Sequence, residues 1–246
     1  MVFTLSRDIF NAYLHGMFIP ATVYGPVRWG KSSYGAQVMA EIKGMKTLYD
    51  QGKNPYRIKK YEWDWNLDYF KRFLQWHPKN YVDMLLSITS KQLANMWDDA
   101  GYWINALEHQ NPFVKAYSKY MNLTGIDFGG TIYTTPDPTW ITKKVRGIPQ
   151  MYVIRIDLKT NENDTARLAW GYKNWKTPDG KKWGVHTEFI DEFDVMLPDD
   201  FYDWYYPLRE KYNQMAKQLM RKELSSLQDV VLEKSLYDKA IQDIQP

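Results

Sequence analysis

Residues 25–32 read Gly25-Pro26-Val27-Arg28-Trp29-Gly30-Lys31-Ser32, a full match to the spacing G-x-x-x-x-G-K-[ST]. Two glycines allow a backbone to wrap tightly and turn its N–H groups inward, as phosphate oxygens require. A lysine directly after the second glycine supplies a compact positive charge, and a hydroxyl after it can coordinate Mg²⁺. The flanks agree. Residues 17–24 (MFIPATVY) read as a buried strand, with Pro20 in a bulge or near its start. From Ser32 to about Asp50, Tyr34, Val38, Ile42, Met45 and Tyr49 recur at helical spacing. Strand, glycine-bounded loop and helix follow in the order that places phosphate at a helix N-terminus. The expected ligand is ATP with Mg²⁺, gripped by Gly25–Ser33. Pro26 cannot donate an N–H and Trp29 is bulky, so both would adjust the grip.

A phosphate loop of this kind needs an acidic partner. Leu93-Ala94-Asn95-Met96-Trp97 followed by Asp98-Asp99 reads as a short strand ending in two acids. Open α/β sheets bind ligands at the carboxyl ends of their strands. Asp98 would then hold Mg²⁺ with Ser32, and Asp99 would orient or deprotonate water. A surface turn with paired acids is the plainer alternative. Thr134 and Thr135 end the next strand, residues 128–135, before Pro136. Either could sit near the terminal phosphate, or both could simply be good strand-end residues. Lys143-Lys144-Val145-Arg146-Gly147 is a basic run. Arg146 is either an arginine finger for a neighbouring subunit or a cation closing a helix before glycine.

The 246 residues suit one large α/β domain or a domain with an appended lobe. With no cysteine, disulfides, thiolate catalysis and Cys-type zinc sites are excluded, and a reducing cytosol fits. His15, His77, His109 and His186 lack metal-binding spacing. A net charge of +3 is too small to imply nucleic acid by itself. No apolar run approaches the roughly 20 residues of a membrane span. The N-terminal segment lacks the marks of a signal peptide. No membrane partner is expected.

The rest of the chain reads as alternating strands and helices, with residues 6–16 helical and capped by Ser6. A strand is expected at 56–61 and helix in parts of 66–90, broken near His77-Pro78. Further helix is expected around Asn111-Pro112, over 102–122, and at 139–146, with a strand at 150–158. This order argues a three-layer αβα core with a mostly parallel sheet, over 1–160. Residues 166–176 and 182–196 flank Thr177-Pro178-Asp179-Gly180, a turn signal, so 161–198 reads as an inserted or appended β-hairpin. It concentrates Trp170, Tyr172, Trp175 and Trp183 beside Lys173, Lys176, Lys181 and Lys182. Such a surface can contact DNA or a partner, or its rings can pack on the core. Residues 199–246 read as C-terminal helices, with Pro207 a kink or a first-turn end and a last helix at about 225–243.

In this order, GPVRWGKSS, WDDAG, TIYTTPDP and ITKKVRG resemble the additional-strand, catalytic-acid class of P-loop ATPases. The set is similar to the DnaA and helicase-loader branch. With LPDDFYDWYYPLREKY after it, it looks like the small DnaA-like ATPases of archaeal viruses and plasmids. The resemblance implies phosphate binding by Gly25–Ser33, Mg²⁺ at Ser32 and Asp98, and catalysis involving Lys31 and Asp99. It makes Thr134 or Thr135 the sensor. It further implies a homo-oligomer in a host cytoplasm, acting on DNA in replication initiation, helicase loading or maintenance. A full helical lid is missing from the pattern. Two other functions fit the loop: a DNA-packaging motor, and a nucleotide switch or scaffold with little turnover.

Overall fold

The computed structural model describes residues 2–108, 110–159, 165–176, 179, 181 and 183–242. His109, Lys182 and most of the Thr177–Gly180 turn lie outside the described residues, as do the side chains of Trp183 and Lys176. The chain divides into two compact units, Met1–Leu197 and Pro198–Pro246.

The first unit is built on a seven-stranded sheet. Helix α1 (Thr4–Leu14) precedes β1 (Ile19–Tyr24), and helix α2 (Lys31–Asp50) follows it. Then come α3 (Leu67–Phe73), β2 (Leu74–Gln75), α4 (Pro78–Leu86) and β3 (Gln92–Trp97). Short helices α5 (Ala100–Trp103), α6 (Pro112–Tyr120) and α7 (Thr124–Asp127) lead to β4 (Phe128–Thr135). Helix α8 (Lys143–Arg146), β5 (Tyr152–Leu158), β6 (Ala166–Lys176) and β7 (Trp183–Asp194) complete it. The strand order is β2-β3-β4-β1-β5-β6-β7. The first five run parallel, and β6 and β7 are antiparallel. Thus β4 lies between β1, which feeds the loop, and β3, which ends at the acids.

Both faces of the parallel strands are covered, which is why β1 and β4 read as unbroken buried runs. On one face α2 comes so close that a Cβ on Gly35 would lie 2.8 Å from Met96 Sδ of β3. On the other, Tyr81 of α4 stacks on Trp97 with ring centroids 4.4 Å apart. The Tyr117 and Tyr133 hydroxyls there, from α6 and β4, are 2.7 Å apart. Helix, sheet and helix make three layers. Pro20 falls before Ala21, where β5 joins the ladder, so it costs no two-sided pairing.

Several expectations need correction. Residues 56–61 form no strand. Pro55–Arg57 and Lys60–Glu62 are 3₁₀ turns, and the segment lies along α2. A Cβ on Gly44 of α2 would sit 2.4 Å from Glu62 O. Ser6 is not a cap. Helix α1 starts at Thr4, and its first donors go to distant carboxylates: Phe3 N–H to Glu41 (3.0 Å) and Thr4 N–H to Asp191 (3.0 Å). The region 102–122 is helical in pieces, the end of α5, a 3₁₀ turn at Ala106–Glu108 and α6, which Asn111 caps. The run 139–146 shortens to α8 after a 3₁₀ turn at Pro138–Trp140.

The hairpin is appended to the sheet. β6 pairs along the whole of β5, because that edge is otherwise open. Phe189, Asp191 and Phe193 of β7 are buried, whereas 185–188 and Trp175 are exposed. The second unit is one helix, α9 (Asp199–Gln242), with Pro207 inside it. Pro207 removes a single N–H donor, and the helical run on both sides carries the turn through. Among the described residues no helix is long and apolar enough to cross a membrane.

Candidate nucleotide site

The loop after β1 is built on positive backbone angles. Gly25 has φ +147°, Arg28 φ +67° and Gly30 φ +95°. Gly25 approaches Ile156 of β5 so closely that a Cβ would meet its carbonyl oxygen at 3.0 Å. Gly30 is the N-cap of α2 in the left-handed region and, being glycine, supplies no capping side chain. The N-terminal N–H groups of a twenty-residue helix thus face the loop without a side-chain cap, which suits an anion. Pro26, Val27 and Arg28 form the exposed rim, and Trp29 and Ser33 are half-buried.

Lys31 is 7% exposed. Its Nζ donates to the carbonyls of Gly25 (2.9 Å) and Pro26 (2.8 Å), so the ammonium is solvated by the loop's own backbone. A buried cation needs such partners, and here they lie in the mouth of the phosphate cradle.

Asp98 follows β3 and is fully buried. Its backbone N–H is fixed by Gln75 O of β2 at 2.8 Å. Its Oδ1 accepts from the Ser32 hydroxyl (2.8 Å) and from the Thr134 hydroxyl (2.5 Å). Thr134 Oγ1 also accepts from the Asp99 N–H at 2.8 Å. One oxygen therefore joins the start of α2, the end of β3 and the end of β4. Asp99 is half-buried in the left-handed region (φ +51°) at the start of α5, a strained backbone that Thr134 holds in place.

The two threonines separate by the two-residue period of a strand. Thr134 faces Asp98. Thr135 points to the other face, donates to Asp137 O (2.9 Å) and packs on Gly101, where a Cβ would lie 2.4 Å from its hydroxyl. Arg146 ends α8 half-buried, and its Nε has no hydrogen-bond partner among the described residues. It neighbours Asp137, whose carboxyl is held below its ordinary value chiefly by the Thr139 hydroxyl and N–H, with a smaller contribution from the Arg146 charge.

The site has a wall that motif reading missed. A Cβ on Gly30 would lie 2.6 Å from Val195 Cγ1 and 3.5 Å from the Phe193 ring, just past and in β7. Gln37 of α2 donates to Asp194 O. Phe189, Asp191 and Phe193 share one face by the two-residue period of a strand, a signal of half-burial, and the fold sets Phe193 of that face against the loop.

A Ser hydroxyl touching a buried carboxylate is a pair of hard oxygen donors, the donor type that Mg²⁺ takes. Ser32 and Asp98 therefore fit that ion, and the loop fits a polyphosphate. Among the described residues there is no cluster of three His, Asp or Glu side chains to make an alternative metal centre.

No protein-family model matches the sequence, and a search of the curated proteins gives no match. Among solved structures, the chain is similar to the N-terminal domain of zonular occludens toxin from Neisseria meningitidis. Identity there is 14%, with 76% of this chain and 98% of that one covered and a TM-score of 0.38. A KaiC-like protein from Pyrococcus horikoshii is matched at 14% identity, covering 70% and 89%, with a TM-score of 0.32. The genome packaging NTPase B204 from Sulfolobus turreted icosahedral virus 2, in complex with ATP-gammaS, is matched at 10% identity, covering 68% and 96%, with a TM-score of 0.33. These likenesses are loose. The chain's own strand order and loop geometry give it the three-layer α/β fold of a P-loop NTPase.

Proposed function

We propose that this chain binds ATP with Mg²⁺ and hydrolyses it, working on the DNA of a mobile element in replication initiation, helicase loading or maintenance. The observation that carries the nucleotide half is the meeting of Ser32 and Thr134 on one buried oxygen of Asp98. Three segments far apart in sequence converge beside an uncapped helix N-terminus. The strand inserted between β1 and β3 supports the additional-strand class. The DNA half is supported by the resemblance of the ordered motifs to DnaA-like ATPases.

When bound, Mg²⁺ would neutralise charge on the phosphates. Lys31 exchanges its loop carbonyls for phosphate oxygens, a short swing for a flexible side chain. Ser32 and Asp98 offer the oxygens that hold the ion. Thr134 fixes the Asp99 backbone, and the Asp99 carboxylate orients water or takes its proton. The contacts of Thr134 with Asp98 and the Asp99 N–H support Thr134, rather than Thr135, as the sensor of the terminal phosphate. Arg146 acts from a neighbouring subunit of a homo-oligomer.

The test is the ATPase rate with Mg²⁺, with and without single- and double-stranded DNA, across protein concentrations. Hydrolysis stimulated by DNA is expected. A folded protein that neither binds nor hydrolyses ATP would overturn the nucleotide assignment. Hydrolysis indifferent to every DNA would overturn the DNA assignment alone.

A further inference from the structure

Helix α2 begins at the phosphate loop and ends at Asp50. Beyond it the chain turns back in a strap, residues 51–64, which is firmly seated. Pro55 and Ile58 are buried, Asn54 caps the first 3₁₀ turn and Glu62 accepts from Lys59 N–H at 2.8 Å. Asp64 N–H bonds Ala40 O of α2 at 3.0 Å. Between strap and helix end lies an open groove of about 250 Å³, with Leu48 in its lining.

The edge of this groove is basic. Lys53, Arg57 and Lys59 line it and Lys60 is adjacent, all exposed. Among the described residues none of the four pairs with a carboxylate. The nearby acids are already engaged: Asp50 by Lys46 (2.5 Å), Asp64 by Lys43 (3.2 Å) and Glu62 by the strap's backbone. The negative pole of a helix C-terminus explains one or two cations there, but not four on a rigid turn. Tyr61 also stands out, 79% exposed, with Lys59 Nζ 5.7 Å from its ring centroid.

We propose that this groove binds single-stranded nucleic acid. Cations without a carboxylate partner on a fixed frame match a phosphate backbone, and the exposed Tyr61 ring offers a platform for an unstacked base once the Lys59 ammonium turns from it to a phosphate. A duplex keeps its bases stacked inside and has no use for that ring. An anionic lipid surface would call for apolar side chains at the rim, where this groove presents a tyrosine and four cations. The inference rests on the DNA-directed half of the reading above and deepens it, placing the strand about 30 Å from the phosphate loop, one length of the twenty-residue α2.

The probe is a fluorescein-labelled oligothymidylate of twenty nucleotides, titrated with the full chain by anisotropy at several salt concentrations. Arg57→Glu with Lys59→Glu is expected to weaken binding at least about tenfold and to flatten the salt slope by about 1.4, at about 0.7 per phosphate contact. Tyr61→Ala is expected to weaken it by about tenfold through lost stacking, with little change in slope. ATP affinity without DNA should be unchanged in both. Photo-crosslinking of a bromodeoxyuridine strand to the unmodified chain should label the peptide that holds Tyr61, whether or not the variants fold. If the parent binds neither this oligonucleotide nor its duplex, both the groove and the DNA half of the proposed function fall; if it binds the duplex alone, only the groove falls. If the parent binds but the variants bind equally and the crosslink maps elsewhere, the groove alone falls. Tighter groove-dependent binding to duplex, or to phosphatidylserine vesicles, would overturn the single-strand assignment.

Discussion

The two ends of α2 use the same residue types to opposite effect. At its N-terminus Lys31 is buried and its ammonium is held by two carbonyls. At the other end Lys53, Arg57, Lys59 and Lys60 are exposed, and none pairs with a carboxylate among the described residues. A cation enclosed among oriented dipoles serves one small ligand in one geometry. Exposed cations on a fixed strap serve a long polyanion at many phosphates, and weaken as salt rises. Lysine content alone does not distinguish these cases; burial and partners do.

The sharpest way to break the contrast is Lys31→Ala. It is expected to abolish turnover and to lower ATP affinity by about 100-fold or more, since a charge-assisted contact in a buried cradle is lost. Oligonucleotide binding at the far end should persist. Isothermal titration with ATP, beside circular dichroism to verify the fold, checks this. A folded Lys31→Ala protein that binds and hydrolyses ATP normally would remove the distinction.

Arg146 comes next. If it completes a neighbour's site, Arg146→Ala should bind ATP but hydrolyse it about 10³–10⁵-fold more slowly. Hydrolysis per subunit should rise with protein concentration in the parent. Mixing Arg146→Ala with Lys31→Ala should restore activity, because some interfaces pair an intact loop with an intact finger. A rate independent of concentration, with no rescue on mixing, would make Arg146 only a helix end.

Asp99→Asn should retain ATP and slow hydrolysis by about 10²–10⁴-fold, the usual share of a general base. Asp98→Asn should instead weaken Mg²⁺-dependent binding, because its carboxylate touches Ser32. Steady-state rates and Mg²⁺ titrations separate the two. A rate defect confined to Asp98→Asn would reverse the roles.

The active end of α2 was more legible in sequence than the rest of the fold. The loop, α2, β3 and β4 follow from local patterns: fixed glycine spacing, helical apolar period and fully buried runs. Which threonine faces the acids was not local. Alternation splits Thr134 from Thr135, but only the position of α2 decides which face is which. The strap failed for a similar reason. Tyr56–Lys59 alternates like a strand, yet the segment packs on α2, where Gly44 admits its backbone. In the hairpin, the density of rings and lysines suggested a binding surface. Some of it is used internally: Lys173 lies 4.2 Å from the Tyr152 ring centroid, and Phe189 covers Gly171. Sequence shows which groups are present, while tertiary contacts decide which are already occupied.

The smallest expected effect lies between the two ends, on Glu41. This carboxyl is buried within α2's inner face and accepts the Phe3 N–H, so it anchors α1. Burial pushes it up from an ordinary value of 4.5 to about 7, despite that hydrogen bond. Asp191, which receives the Thr4 N–H and the Tyr34 hydroxyl, is raised by burial too. A group protonated up to about pH 7 when folded, but only to about 4.5 when unfolded, takes up protons on folding. Its contribution is therefore full below about pH 4.5 and is lost as pH rises through 7. At about 1.4 kcal/mol per pH unit the loss approaches about 3 kcal/mol. Glu41→Gln keeps an acceptor for Phe3 N–H and carries no charge to bury. Urea midpoints measured from pH 4.5 to 8 should fall in the parent and fall less steeply in Glu41→Gln, with Asp191 leaving a residual slope. The variant should then be the more stable protein at pH 8. Equal slopes would mean that Glu41 ionises freely in the folded protein, and that the mid-helix anchor resembles the open groove more than the enclosed loop.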